Sequence, residues 1–147
     1  MEITISEMSI SHLLEIKDIL TSDFDNFWTY SIFENELKNP NSNYFVATIN
    51  NEIVGFAGIW QVFDEIHITN IVTKISKRHM GIGSKLLEKL IEVSKFKSAT
   101  SLTLEVNDSN INAIKLYEKY NFKKIGLRKN YYGQNENAII MTLFFEK

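Results

Sequence analysis

At 147 residues, 44% of them hydrophobic and 23% charged, the chain has the make-up of one soluble globular domain spanning 1–147. A formal net charge of -2 offers no basic face for direct nucleic-acid binding, and no apolar run approaches the ~20 residues that span a bilayer, so neither partner is expected. The absence of cysteine excludes disulfides, thiolate metal sites and thiol nucleophiles, and with no signal-like segment after Met1 a cytoplasmic protein is expected.

Ile3 and Ile5 alternate with polar neighbours and predict a short first strand. Ile10, Leu13, Leu14, Ile16 and Leu20 recur at helical spacing, so a helix follows. Trp28 to Leu37 reads as a second, weaker helix, stopped before Pro40. From Asn43 the period changes: Tyr44 to Ile49 is a strand, Asn50-Asn51 a hairpin turn, and Ile53 to Phe63 a strand apolar enough to be covered on both faces. Ile66 to Val72 is the next strand. A Gly-rich turn, 78–83, leads into the strongest helix, with Ile82, Leu86, Leu87, Leu90, Ile91 and Ser94 on one face. Ser101 to Val106 alternates as a strand, with Thr103 and Glu105 opposite Leu102, Leu104 and Val106. Asp108 or Ser109 can cap a helix striped by Ala113, Leu116, Tyr117 and Tyr120, and strands around Lys123-Leu127 and Ala138-Phe145 close the chain. The order predicts a mixed α/β (α+β) domain of about seven strands and four helices.

Arg78-x-x-Gly81-x-Gly83 between a strand and a helix is an anion cradle. The glycines let a ligand reach the backbone, the first N–H groups of the helix point outward, and Arg78 adds charge. Taken alone, the same string also describes a glycine-rich turn with a solvated arginine. A dinucleotide fingerprint fails because Leu86 stands at its third glycine, and a Walker loop is absent. His12, His67 and His79 are scattered, without an i, i+4 pair, so no metal site is expected.

Ile71-Val72 followed by Arg78-x-x-Gly81-Ile82-Gly83-Ser84-x-Leu86-Leu87 resembles the acetyl-CoA-binding motif of the GNAT N-acetyltransferase superfamily. Leu104-Glu105-Val106, Asn110 and Ala113-x-x-Leu116-Tyr117-x-x-x-Asn121-Phe122 match its next block. Arg128-x-x-Tyr131-Tyr132 and Glu136-x-Ala138-Ile139-Ile140-Met141 are most similar to bacterial ribosomal-protein-alanine N-acetyltransferases, and Trp28 is also at a family-like position. The similarity is dense from about Asp64 to Leu143 and looser before it.

The resemblance implies a central, mostly antiparallel sheet splayed in its middle, with acetyl-CoA as acetyl donor lying in the split. Ile71, Val72 and Thr73 would pair through their backbone with the pantetheine arm, Arg78 and His79, Met80, Gly81, Ile82, Gly83 and Ser84 would hold the pyrophosphate, and Asn110 would contact the cofactor further along. Glu105 matches the family's general base and Tyr117 its general acid. Trp28, Arg128, Tyr131, Tyr132 and Glu136 would border the acceptor, a protein N-terminus such as that of a small-subunit ribosomal protein. Lys74-Ile75-Ser76-Lys77 replaces the usual proline-containing turn, Gly133 stands where proline is common, and Asn137 where aspartate is common.

Other readings of the same residues stay open. A strand glutamate is ordinarily a solvated group, and a tyrosine on a helix stripe is ordinarily core. Tyr131 and Tyr132 are also ordinary strand residues. Acetylation of a small amine, a free amino acid or a lysine, and an acyl-CoA-binding module without turnover, both use the same cradle. Direct attack on the thioester needs a base for the amine and a donor for the thiolate, and a tyrosine could protonate a thiolate if its surroundings favour the phenolate modestly.

Overall fold

A computed structural model describes residues 2–24, 26 and 28–146. In chain order the elements are β1 (Thr4–Glu7), α1 (Ile10–Glu15), α2 (Tyr30–Leu37), β2 (Ser42–Ile49), β3 (Glu52–Val62), β4 (Glu65–Thr73), α3 (Ile82–Phe96), β5 (Ser101–Asn107), α4 (Ile111–Lys119), β6 (Lys123–Gly133) and β7 (Glu136–Phe144). The strands form one sheet of order β1-β2-β3-β4-β5-β7-β6, antiparallel throughout except between β4 and β5. The mixed architecture predicted from the sequence is therefore observed.

The boundaries differ in instructive ways. The apolar period 10–20 does not make one helix. Ser9 caps α1, but at Ile16 the backbone leaves helical geometry, and the chain tightens into a 3-10 turn over Lys17–Ile19. β-Branched Ile16 and turn-favouring Asp18 hold a helix weakly, while burial of Leu13, Ile16 and Leu20 is kept all the same. Leu14 is left outside the core. α2 begins only at Tyr30, because Thr29 accepts a hydrogen bond from the Ile32 amide and so caps it, which puts Trp28 ahead of the helix. Asn50 and Asn51 take the two positive φ values of a tight hairpin, 50° and 67°.

Cores lie on both faces of the sheet. On one, Leu86, Leu87 and Leu90 of α3 and Ile114 of α4 pack on Ala57, Ile59, Ile66, Leu102 and Leu104. On the other, Leu13, Phe24 and Phe33 pack on Tyr44, Val46 and Phe56. Completely burying each such leucine or phenylalanine contributes about 1.5–3 kcal/mol. Gly58 is required here, since a Cβ would sit 2.3 Å from the Tyr44 ring that lies across it.

The feature that positions the site is a parting of strands. β4 pairs with β3 along its whole length, from Val62↔Glu65 to Gly55↔Thr73. Its parallel pairing with β5 covers only Glu65↔Ser101 to His67↔Thr103, whereas β5 goes on pairing with β7 as far as Asn107↔Ala138. Residues 68–73 thus present an edge without a strand partner, opposite 104–107. A register shift between Gly58 and Ile59 places one extra β4 residue, Thr69, at the start of the parting, and such bulges increase local twist.

Candidate active site

One continuous trough runs from this parting to the start of α3. Its inner part is lined by Ile71, Val72, Thr73, Arg78, His79, Gly81, Ile82, Gly83, Ser84 and the first turns of α4. Gly81 is the N-cap of α3, at φ 84°, and a Cβ built there would meet nothing within 4 Å. No side chain caps α3 and no acid occupies its first turn, so the amides of Ile82, Gly83 and Ser84 have neither a capping partner nor a competing negative charge. His79 adds a second left-handed residue, φ 65°, just before them. This is a backbone site for an anion, with Arg78 on its wall. Met80 does not line it; it packs against the core on the α3 face.

The outer part is lined by Trp28, Ile68–Val72, Glu105, Asn107, Asn110, Tyr117, Tyr131, Tyr132 and Glu136. Glu105 projects from β5 on the face opposite Leu104. One carboxylate oxygen, Oε1, lies 3.5 Å from Arg128 Nη2, and the other, Oε2, is buried without a hydrogen-bond partner. Arg128 also stacks over Tyr131, 5.4 Å from the ring centre, and Tyr131 meets Tyr132 edge-on at 5.1 Å. Adjacent strand residues usually point to opposite faces. Both tyrosines reach the trough because pairing is irregular between Arg128 and Gly133, with Asn130 at φ 57°. The strand expected around Lys123-Leu127 continues to Gly133 as β6 and forms a long hairpin with β7.

Tyr117 stands where the two parts of the trough meet, packed on Phe122. Burial, helped by the neighbouring Tyr132, pushes its pKa up to about 12. Tyr132 is raised too, by burial and then by the Glu105 charge. For Tyr117 this is opposite to the direction that favours phenolate, so its hydroxyl keeps its proton at neutral pH. Trp28 is wedged edge-on against Phe33 at 5.5 Å, forming the wall beneath the mouth.

Asn110 is the N-cap of α4, its Oδ1 accepting from the Ala113 amide at 3.2 Å, so the cap expected at Asp108 or Ser109 falls beyond both. Asn110 still lines both parts of the trough, with its carbonyl committed. Asn137 donates to Asp108 Oδ2 at 3.1 Å and accepts from the Asn130 amide at 2.9 Å, tying the hairpin to the β5–α4 turn. An aspartate there would set two carboxylates against each other. Gly133, at φ 154°, takes a conformation closed to proline. Asn26 and Asn70 also line the mouth, although nothing in the sequence reading singles them out. The available signal for Asn70 is its residue type alone, since asparagine is uncommon inside a strand such as β4. Among the described residues no cluster of metal-ligating side chains is present and no helix is long and apolar enough to cross a membrane.

Comparison with known proteins fits this geometry. The model of the Acetyltransferase (GNAT) family matches residues 13–122. A Bacillus subtilis protein, named provisionally as a [ribosomal protein bS18]-alanine N-acetyltransferase, is 40% identical over 134 residues, 90% of this chain and 87% of that one. The crystal structure of the ribosomal-protein-S18-alanine N-acetyltransferase from Escherichia coli superposes with a TM-score of 0.89 at 31% identity, covering 99% of this chain and 96% of that chain. A GNAT family acetyltransferase from Elizabethkingia anophelis, solved with acetyl-CoA bound, shares the fold at a TM-score of 0.79 and 23% identity, over 97% and 98% of the two chains.

Proposed function

The chain belongs to the GNAT family and is an acetyl-CoA-dependent N-acetyltransferase, and from that premise we propose that its acceptor is a protein N-terminus, the α-amine of an alanine on a small-subunit ribosomal protein in the cytoplasm, with Glu105 as base and Tyr117 as hydrogen-bond donor to the leaving thiolate. The observation that carries the reading is the buried, unpartnered Oε2 of Glu105, held at the mouth by the Arg128 ion pair beside the open edge of β4.

The residues present fit acetyl-CoA. The β5-facing edge of Ile71, Val72 and Thr73, left without a strand partner, suits the amides of the pantetheine arm, and His79 to Ser84 with Arg78 suit the pyrophosphate. Asn110 is left with its amide N–H groups, since its carbonyl caps α4. The donor supplies an activated acetyl group as a thioester. The amine nitrogen attacks the carbonyl carbon, the C–N bond forms as the C–S bond breaks, and one amine proton passes to Glu105. An α-amine at about 7.7–8.0 needs far less help from a carboxylate than a lysine at about 10.4. A thiol sits near ~8.5, so complete transfer from a tyrosine raised to about 12 is uphill; Tyr117 hydrogen-bonds the departing thiolate, and solvent completes its protonation at release.

Two peptides test the acceptor class, one with a free N-terminal alanine and an internal lysine, the other identical but blocked at the terminus. The expected result after incubation with acetyl-CoA is one acetyl group on the α-nitrogen of the first and none on the second. Lysine acetylation of the blocked peptide would overturn the N-terminal reading. Thiol release only with a free small amine would assign a small-molecule acceptor, and cofactor binding without any thiol release would make the chain a binding module.

A further inference from the structure

Among the described residues only two buried side-chain nitrogen or oxygen atoms lack a hydrogen-bond partner, Asn70 Oδ1 and Glu105 Oε2. Other buried polar groups are satisfied: Ser94 donates to the Leu90 carbonyl at 2.8 Å, and Tyr44 bonds Thr69 at 2.8 Å. Both orphans are acceptors, and both line the mouth where β4 and β5 part. They also share a sheet face. Asn70 is in register with Gly58, and Gly58 with Tyr44, which belongs to the core beneath α1 and α2; Glu105 points away from Leu104 and Val106, which pack beneath α3. Two buried acceptors without partners at one mouth describe a site for a group that brings two N–H bonds.

We propose that Asn70 Oδ1 is the second acceptor for the incoming amine, and that with Glu105 Oε2 it aims the nitrogen lone pair at the thioester; this rests on the acceptor being a primary α-amine. A neutral primary amine has one bond to carbon, two N–H bonds and one lone pair. Directing one N–H at Glu105 and the other at Asn70 leaves the lone pair a single direction. As the C–N bond forms and the C–S bond breaks, the proton facing Glu105 transfers to it. The proton facing Asn70 stays and becomes the N–H of the product amide. A secondary amine has only one N–H and cannot serve both acceptors.

The experiment compares wild type, Asn70→Ala and Asn70→Asp on a peptide beginning with alanine and on the same peptide beginning with N-methylalanine, with acetyl-CoA affinity measured by calorimetry and folding by thermal melting. Wild type is expected to prefer the primary amine. Asn70→Ala should lose about tenfold or more in kcat/KM on the alanine peptide and much less on the N-methyl peptide, with acetyl-CoA affinity unchanged. Asn70→Asp, which keeps the acceptor oxygen, should retain the preference. An unchanged rate in Asn70→Ala, an equal fall on both peptides, or loss of the preference in Asn70→Asp would overturn the assignment of Asn70 while leaving the N-terminal reading intact. Wild type that modifies neither peptide would overturn the N-terminal reading, and this assignment with it.

Discussion

The two ends of the trough are made of different material. The inner end is backbone: an uncapped helix start, the left-handed residues His79 and Gly81, and a free strand edge, all within residues 71–84. The outer end is side chains drawn from separate elements, with Asn70 on β4, Glu105 on β5, Tyr117 on α4 and Arg128, Tyr131 and Tyr132 on β6. A backbone site presents amide dipoles that any anion can use and that few substitutions remove. A side-chain site is selective, and each member of it can be deleted singly. Binding the donor should therefore depend on the first region, and turnover on the second.

The largest effects should come from the outer end. Tyr117→Phe and Glu105→Gln are each expected to lower kcat by a factor of ~10²–10³ while leaving acetyl-CoA affinity within about twofold. Steady-state kinetics paired with calorimetry checks this. A weakened affinity of the same size as the fall in kcat would erase the distinction between the ends.

Gly81→Val should do the reverse, raising KM for acetyl-CoA roughly tenfold with kcat little changed, because a side chain would project where the open space meets the α3 amides. At φ 84° it should also lower the melting temperature. Gly83→Ala sharpens the point. Its added Cβ would meet Thr73 and Leu116 at ordinary distances, 3.8 and 3.9 Å, so it should fold normally and shift affinity less.

Asn137→Asp probes the strut beneath the outer end. It sets a carboxylate against Asp108 at the 3.1 Å contact and should cost about 1 kcal/mol at neutral pH. Repulsion raises the folded-state pKa of the pair, so the native state holds protons more tightly and the penalty relative to wild type fades as pH falls through the carboxylate range near ~4. Denaturant melts of both proteins at several pH values measure it.

A further effect is confined to alkaline pH. Tyr117 is raised to about 12 in the folded chain, from an ordinary value near ~10. The unfolded chain therefore loses this proton first, and the contribution of Tyr117, complete below pH ~10, is lost as pH rises toward 12. Wild type should lose stability relative to Tyr117→Phe over that window. Parallel stability curves would mean that the hydroxyl is better solvated than its packing on Phe122 implies.

The sequence by itself determined the mixed fold, the seven strands and the open helix start at the inner end of the trough, because each follows from local signals. Apolar periodicity fixes strand and helix type, Asn50-Asn51 fixes a hairpin, and Gly81 and Gly83 before an apolar-striped helix leave its first amides open. It also marked Glu105, Tyr117 and the Arg128 to Glu136 segment, though only through the resemblance. Tertiary structure decided the rest. That β4 stops pairing with β5 after His67 depends on a bulge and on strands far apart in sequence, so no local pattern reports it. Asn110 gives its carbonyl to the α4 cap because of where that helix begins, and Arg128 meets Glu105 across 23 positions of chain because β7 lies between their strands. Asn70 is one of five polar residues in β4, and no pattern along the chain sets it apart from the others. Only the folded sheet leaves its oxygen buried and unpartnered on the same face as that of Glu105, because burial and orientation are set by the whole sheet and not by neighbours along the chain.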